Sequence, residues 1–364
     1  MKKEYCTYLN LPGHPYNSLL DDYEEGMTVE KLKREFSYLK SQIIKILLKI
    51  KESERFKKQM DAKVTFDKKN QEKLVQILLQ KMLLPNDRFR IDVSIRPVTI
   101  PIGNDDVRIT TNYSRNLPLF AFSSTLHEAG HALYELGMPK GKFKDTVVSG
   151  SPSKGLHESQ SMFWMKMIGL NIHFWSYFLP VFKKIFPSQL KSINLDMGYF
   201  LINQVKSSLI LIESDELTSC LHIIHRIELE MDMLDEKLSV KELPDAWDKK
   251  MDELLGITPK TDNEGILQDI HWSIGLIGYF PTYAIGSIYA SQLFNQLIKD
   301  HPSTMQDLEQ GNFKFIIDWL RNHVHKYGRK LTADEIIKKS CGTGLNSQVF
   351  VDYLKNKYYD IYEI

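Results

Sequence analysis

A mainly α-helical fold, with one small β-sheet beside a helix that carries an H-E-x-x-H sequence, is what this 364-residue chain predicts. Three observations lead there. Apolar residues recur at helical spacing over most of the length, so one face after another can be buried. Strict alternation is confined to two short runs, at 89–95 and 107–111. No repeat, low-complexity block or Gly/Ser linker interrupts the chain, so residues 1–364 read as one domain with a sizeable core.

The elements follow in order. Thr28-Val29-Glu30-Lys31 has the form of a helix start, and apolar positions continue at helical spacing through Leu47 and Ile50. Residues 52–73 are highly charged and read as a solvated helix with its connections. Phe89, Ile91, Val93 and Ile95 alternate with polar residues. After a turn signal at Gly103-Asn104, Val107, Ile109 and Thr111 alternate again, which predicts a small hairpin. Helices dominate from Asn116 onward. Asn116 suits a helix cap and Pro118 its first turn, while Gly137 followed by Pro139 ends that helix. Residues 272–298 carry no charged side chain and are long enough to span a bilayer. Gly275, Gly278, Pro281 and Gly286 break the run and many polar residues dilute it, so a buried, polar-lined interior segment is predicted.

Composition excludes several functions. Lys+Arg number 47 and Asp+Glu 46, a balance without the basic excess of a nucleic-acid or acidic-membrane binder. Cys6, Cys220 and Cys341 are odd in number and widely spaced. A disulfide framework and a cysteine zinc knuckle are therefore not expected, and a reducing, cytoplasmic setting is. Lys2 and Lys3 are followed by no apolar run, so no signal peptide is read.

His127-Glu128-Ala129-Gly130-His131 carries the chemistry. Residues four apart share a helix face, so both imidazoles can reach one metal ion. Glu128 then sits beside the metal, where a general base for its water belongs. Chance gives such a motif about 0.04 times in a chain of this composition. Gly130 and Ala129 keep the helix slim enough for close packing. A catalytic zinc usually has three protein ligands. Tyr134 and Gly137 occupy the positions of an H-x-x-G-x-x-H extension, so the third ligand lies elsewhere. By spacing, His157 and Glu158 are both candidates.

The stretches 127–135 and 155–161 (Gly-Leu-His-Glu-Ser-Gln-Ser) resemble peptidase family M32, the thermostable-carboxypeptidase family of metallopeptidases. Asp106-Val107-Arg108-Ile109-Thr110 resembles its D-x-R-x-T motif. Residues 265–272 fit G-x-x-Q-D-x-H-W in full, and 278–284 resemble the block that follows. Pro15-Tyr16 and residues 19–24 resemble an upstream family segment. The resemblance implies zinc, with cobalt as a substitute, one ion per chain, held by His127, His131 and Glu158. It implies Glu128 as general base, His157 in an orienting role, and release of C-terminal residues from peptides with a free C-terminus. Homodimers are common among such proteins, and one is possible here.

Three departures stand out. Typical members begin well before the point matching Met1, with helices expected to roof the groove. The H-P-F motif reads Arg96-Pro97-Val98. The I-R-x-x-A-D motif reads 210–215 as Ile-Leu-Ile-Glu-Ser-Asp, so Leu211 stands where an arginine is expected to help hold the substrate carboxylate. An active metallocarboxypeptidase is the first reading. A non-catalytic or weakly active metal-binding remnant, with a peptide- or partner-binding role, is the second. The oxyanion needs a donor besides the metal, and His271, Tyr279 and Tyr283 are candidates. Arg108 is expected to meet the substrate carboxylate or to pair with Asp106. The strand at 107–111 is expected to offer backbone groups to an extended peptide.

Overall fold

The computed structural model describes residues 1–59, 64–115, 117 and 119–364. The cap residues expected at Asn116 and Pro118 lie outside the described residues. The first long helix, Val29–Glu52, starts as its sequence dictates: the Thr28 side chain accepts a hydrogen bond from the Lys31 N–H. It buries Val29, Leu32, Phe36, Leu39, Ile43, Ile46, Leu47 and Ile50, one stripe at spacings of three and four. Within the charged region, Asp67 caps the helix Lys68–Lys81, whose inner face buries Leu74, Val75, Leu78 and Leu79.

The sheet has three strands, β1 (Phe89–Val93), β2 (Thr99–Gly103) and β3 (Asp106–Thr111), in the order β1-β3-β2. β1 runs parallel to β3, with Phe89 opposite Val107 and Val93 opposite Thr111. The hairpin therefore forms between β2 and β3, and the two alternating runs are neighbours but not hairpin partners. Pro101 hid β2 in the sequence. It lacks an N–H for a ladder and is tolerated here because β2 is an edge strand. β3 is the central strand, so its backbone groups are spent on β1 and β2. The expectation that 107–111 offers backbone to a peptide is corrected accordingly.

Three helices frame the site. The His helix, Phe120–Gly137, packs on β3 through Thr125 and the Thr111 hydroxyl, 3.0 Å from Ser124 Oγ. It ends at Gly137, where the sequence places its stop. The Glu helix, Lys154–Met162, runs on into a π-helical turn, Phe163–Ile168. The third comes from the segment expected to be interior, but only its later part is: 272–280 is a loop with Ser273 and Ile274 exposed, and it leads to the helix Pro281–Asp300, which buries Ser287, Ser291 and Gln292 among its apolar residues. No helix among the described residues is long and apolar enough to cross a membrane.

Two glycines set the spacing. A Cβ on Gly130 would lie 2.6 Å from the Gln160 carbonyl oxygen, and one on Gly286 would lie 2.9 Å from Glu158 Cβ. Each is closer than a side chain tolerates, so the Glu helix is clasped between the other two at backbone contact.

Candidate metal centre

His127 and His131 project from one face of the His helix, and Glu158 meets them from the Glu helix. One ligand atom from each lies within 4.8 Å of the others. His127 Nε2 is 3.6 Å from Glu158 Oε1, and His131 Nε2 is 3.7 Å from Oε2. These are too long for good hydrogen bonds. A tetrahedral ion bound at about 2.0–2.2 Å holds its ligand atoms roughly 3.4 Å apart, so the donor set fits zinc. Burial pushes His127 down to about 3 and His131 well below the usual imidazole range, with neighbouring positive charges adding to both. Both rings are thereby held neutral, the form a metal requires. Burial raises Glu158 to about 8, and the Glu128 charge adds to the rise.

Local sequence fixes the third member. Ser153 caps the Glu helix by accepting from the Leu156 N–H at 2.9 Å. Glu24 accepts from the Gly155 N–H at 3.0 Å, so the upstream segment 19–24 reaches the same helix start. His157 turns away from the trio. Its Nε2 is 2.8 Å from Glu135 Oε1, and its ring stacks on His131 at 4.3 Å. It can orient His131 but does not face the ligand atoms. Glu128 is buried, and burial raises it to about 7. The Thr99 hydroxyl, 2.6 Å from Glu128 Oε2, opposes that rise. Thr99 was not legible in the sequence, because β2 was not.

His271, Tyr279 and Tyr283 form an aromatic cluster. His271 Nε2 is 3.1 Å from the Tyr283 hydroxyl, and the Tyr279 and Tyr283 rings are 5.5 Å apart. Burial and the Glu158 charge push both tyrosines above the usual phenol range, so they remain hydroxyl donors. Arg108 is exposed and bidentate to Asp106, at 3.1 and 2.8 Å; of its two expected roles, the structure shows the pairing. Leu211 is half-buried, and its N–H donates to Gln268 Oε1 at 2.9 Å. Arg96 is exposed in the connection between β1 and β2.

Sequence reasoning also missed two buried charges on the helix Ser219–Leu234. Arg226 bonds Asp269 at 2.6 Å and Gln268 at 2.8 Å, with Trp247 against its guanidinium. Glu230, one turn on, accepts from Trp272 Nε1 at 2.6 Å and from the Gly278 N–H at 3.0 Å. Together they pin the loop that carries His271. The available signal was the Q-D pair of the 265–272 motif, which needs a cation.

Comparison with known proteins gives this geometry its context. A family model described as Carboxypeptidase Taq (M32) metallopeptidase matches residues 1–358. The chain belongs to the M32 family. Carboxypeptidase 1 of Bacillus subtilis is 39% identical over 360 residues, spanning 99% of this chain and 72% of that relative. Thermostable carboxypeptidase 1 of Pyrococcus furiosus is 37% identical, with 98% and 72% covered. The crystal structure of an M32 carboxypeptidase from Deinococcus radiodurans R1 superposes with a TM-score of 0.94 at 32% identity, covering 100% of this chain and 73% of that one. Metallocarboxypeptidase function and a metal cofactor follow from this M32 membership. The mainly helical fold with its small sheet is the fold of these relatives.

Proposed function

We propose that this M32 chain is a zinc-dependent carboxypeptidase that releases C-terminal amino acids from peptides. The carrying observation is the convergence of His127, His131 and Glu158 beside the buried Glu128 carboxylate. In this reading the whole chain, 1–364, acts as one catalytic domain, cytoplasmic, with one zinc ion that cobalt can replace, and homodimer assembly is open to light scattering. Bound zinc supplies Lewis-acid polarisation and a water of lowered pKa.

The protein's own groups do the rest. His127, His131 and Glu158 present neutral nitrogen and carboxylate oxygen from helices locked at backbone contact. Glu128 takes the water's proton and passes it to the leaving amine. Thr99 holds that carboxylate in one orientation. In this reading the Tyr283 and Tyr279 hydroxyls, with His271 beside them, donate to the developing oxyanion. The second reading, a non-catalytic remnant, draws on the altered substrate motifs, Arg96-Pro97-Val98 and Leu211 in the place of the family's arginine.

The test is hydrolysis of one short peptide as free acid and as C-terminal amide, with and without chelator. Stepwise loss of C-terminal residues from the free acid alone, abolished by chelation and restored by zinc, is expected. Internal cleavage of the amide would make it an endopeptidase. Full metal content without turnover would favour the remnant.

A further inference from the structure

A carboxypeptidase must meet a full negative charge at the end of its substrate, and Leu211 removes one cation expected to meet it. Another cation must then meet it. Arg108 is bidentate to Asp106. Arg226 is buried and committed to Asp269, Gln268 and the His222 carbonyl. Arg96 is exposed, where water and salt screen a charge. Lys166 differs from all three. It is only 6% exposed, and its Nζ lies 3.2 Å from the hydroxyls of Ser219 and Ser287. It pairs with no carboxylate among the described residues. The neighbouring acid, Glu216, is taken by Lys357 at 2.6 Å and by Tyr353 at 3.1 Å.

Position completes the case. Glu158, Met162 and Lys166 follow at intervals of four along one helical face, and side chains lean toward the helix N-terminus, which is the Glu158 end. Ser287 follows Gly286, the residue in backbone contact with Glu158, and lies one turn beyond Tyr283. The Lys166 charge is felt by both His127 and Glu158. A terminal carboxylate lies one residue, about 3.8 Å of chain, beyond the scissile carbonyl. Lys166 also sits on the π-helical turn, a local irregularity that is frequent at functional sites. An ammonium has three donors, and two hydroxyls leave its charge unanswered. Ser219, beside the ammonium, is partly open to solvent.

We propose that Lys166, positioned by the Ser219 and Ser287 hydroxyls that accept from it and donate to the Glu216 and Tyr283 carbonyls, is the receptor for the substrate's terminal carboxylate. The proposal rests on the carboxypeptidase reading. Lys166→Met, close in shape but uncharged, should lower kcat/KM for a free-acid peptide by about 10- to 150-fold, chiefly through KM. It should leave any cleavage of the amide unchanged. Lys166→Arg should restore most of the loss, and Arg96→Ala should keep the free-acid preference. A Lys166→Met enzyme with wild-type KM for the free acid overturns the proposal. So does an equal loss on acid and amide with a lowered melting temperature, the mark of a purely structural lysine. If the wild-type protein cleaves neither peptide, the carboxypeptidase reading fails. Calorimetric binding of the same two peptides to the zinc-loaded protein then reads the receptor directly. Tighter binding of the acid that Lys166→Met abolishes supports it, and equal binding of acid and amide refutes it.

Discussion

Replacing Gly130 by alanine is a sharp probe of the site. Alanine favours a helix interior by about 1 kcal/mol over glycine, so a helix with room for it gains stability. Here the added Cβ meets backbone: it would lie 2.6 Å from Gln160 O and 2.8 Å from Ser161 Cα, against about 3.4 Å for ordinary contact. The His and Glu helices must separate by roughly 0.8 Å to admit it. Overpacking costs about 1–3 kcal/mol, which offsets or slightly exceeds the helical gain. In a chain of this size each kcal/mol moves Tm by roughly 1–2 °C, so the metal-free protein should melt within a few degrees of wild type. The metal site is far less tolerant. Ligand positions must hold to about 0.2 Å, so moving Glu158 by several times that should weaken zinc binding by at least about 10- to 100-fold. Competition with a chromophoric chelator measures the affinity, and calorimetric melting with and without chelator measures the rest. Gly198→Ala is the control, since its Cβ would meet Ile193 Cγ2 at an ordinary 3.4 Å. Wild-type zinc affinity in Gly130→Ala would refute the claim that this close approach sets the ligand geometry.

Three further predictions rest on single contacts. Glu158→Ala should lose most bound metal while Glu128→Gln keeps it and loses turnover; elemental analysis showing full metal in Glu158→Ala would remove Glu158 from the ligand set. Asp269→Asn leaves the Arg226 charge buried without its partner and should lower stability by about 3–5 kcal/mol in denaturant titration; a midpoint within error of wild type would show that the loop is held otherwise. Burial pushes Glu24 from 4.5 up to about 7, against hydrogen bonds from Gly155, Ser153 and Tyr289. The native state then keeps a proton that the unfolded chain has released, so this group's contribution to stability is full below pH 4.5 and is lost as pH rises to 7. Glu24→Gln should remove up to about 3 kcal/mol of that fall, and melting curves at pH 5 and 8 with the same slope as wild type would contradict it.

How far the sequence reached depends on which interactions are local. His127, Glu128 and His131 share one helix, so their common face follows from periodicity, as does the stop at Gly137. Between His157 and Glu158, spacing left the choice open; the resemblance favoured Glu158, and the structure groups it with the two histidines. Thr99 was lost because Pro101 masks a strand that forms only by pairing with β3. Arg226 and Glu230 read as ordinary charges on an amphipathic helix, since nothing local shows that both sides of that helix are covered. Lys166 left one faint mark, a lone lysine in the apolar run 163–168.

The contact between Lys166 and Ser287 joins residues 121 positions apart, and Gly286 closes on Glu158 across a similar stretch. The three side chains that could hold a metal span little more than thirty residues of chain (127–158), yet the helix that packs on Glu158 arrives much later during synthesis. A nascent chain carries its metal-binding sequence long before it can hold the metal rigidly. Loops of such length close slowly and at an entropic cost. Assembly of the site therefore belongs among the late steps of folding, and an incompletely synthesised chain lacks the clasp that an ordered peptidase needs.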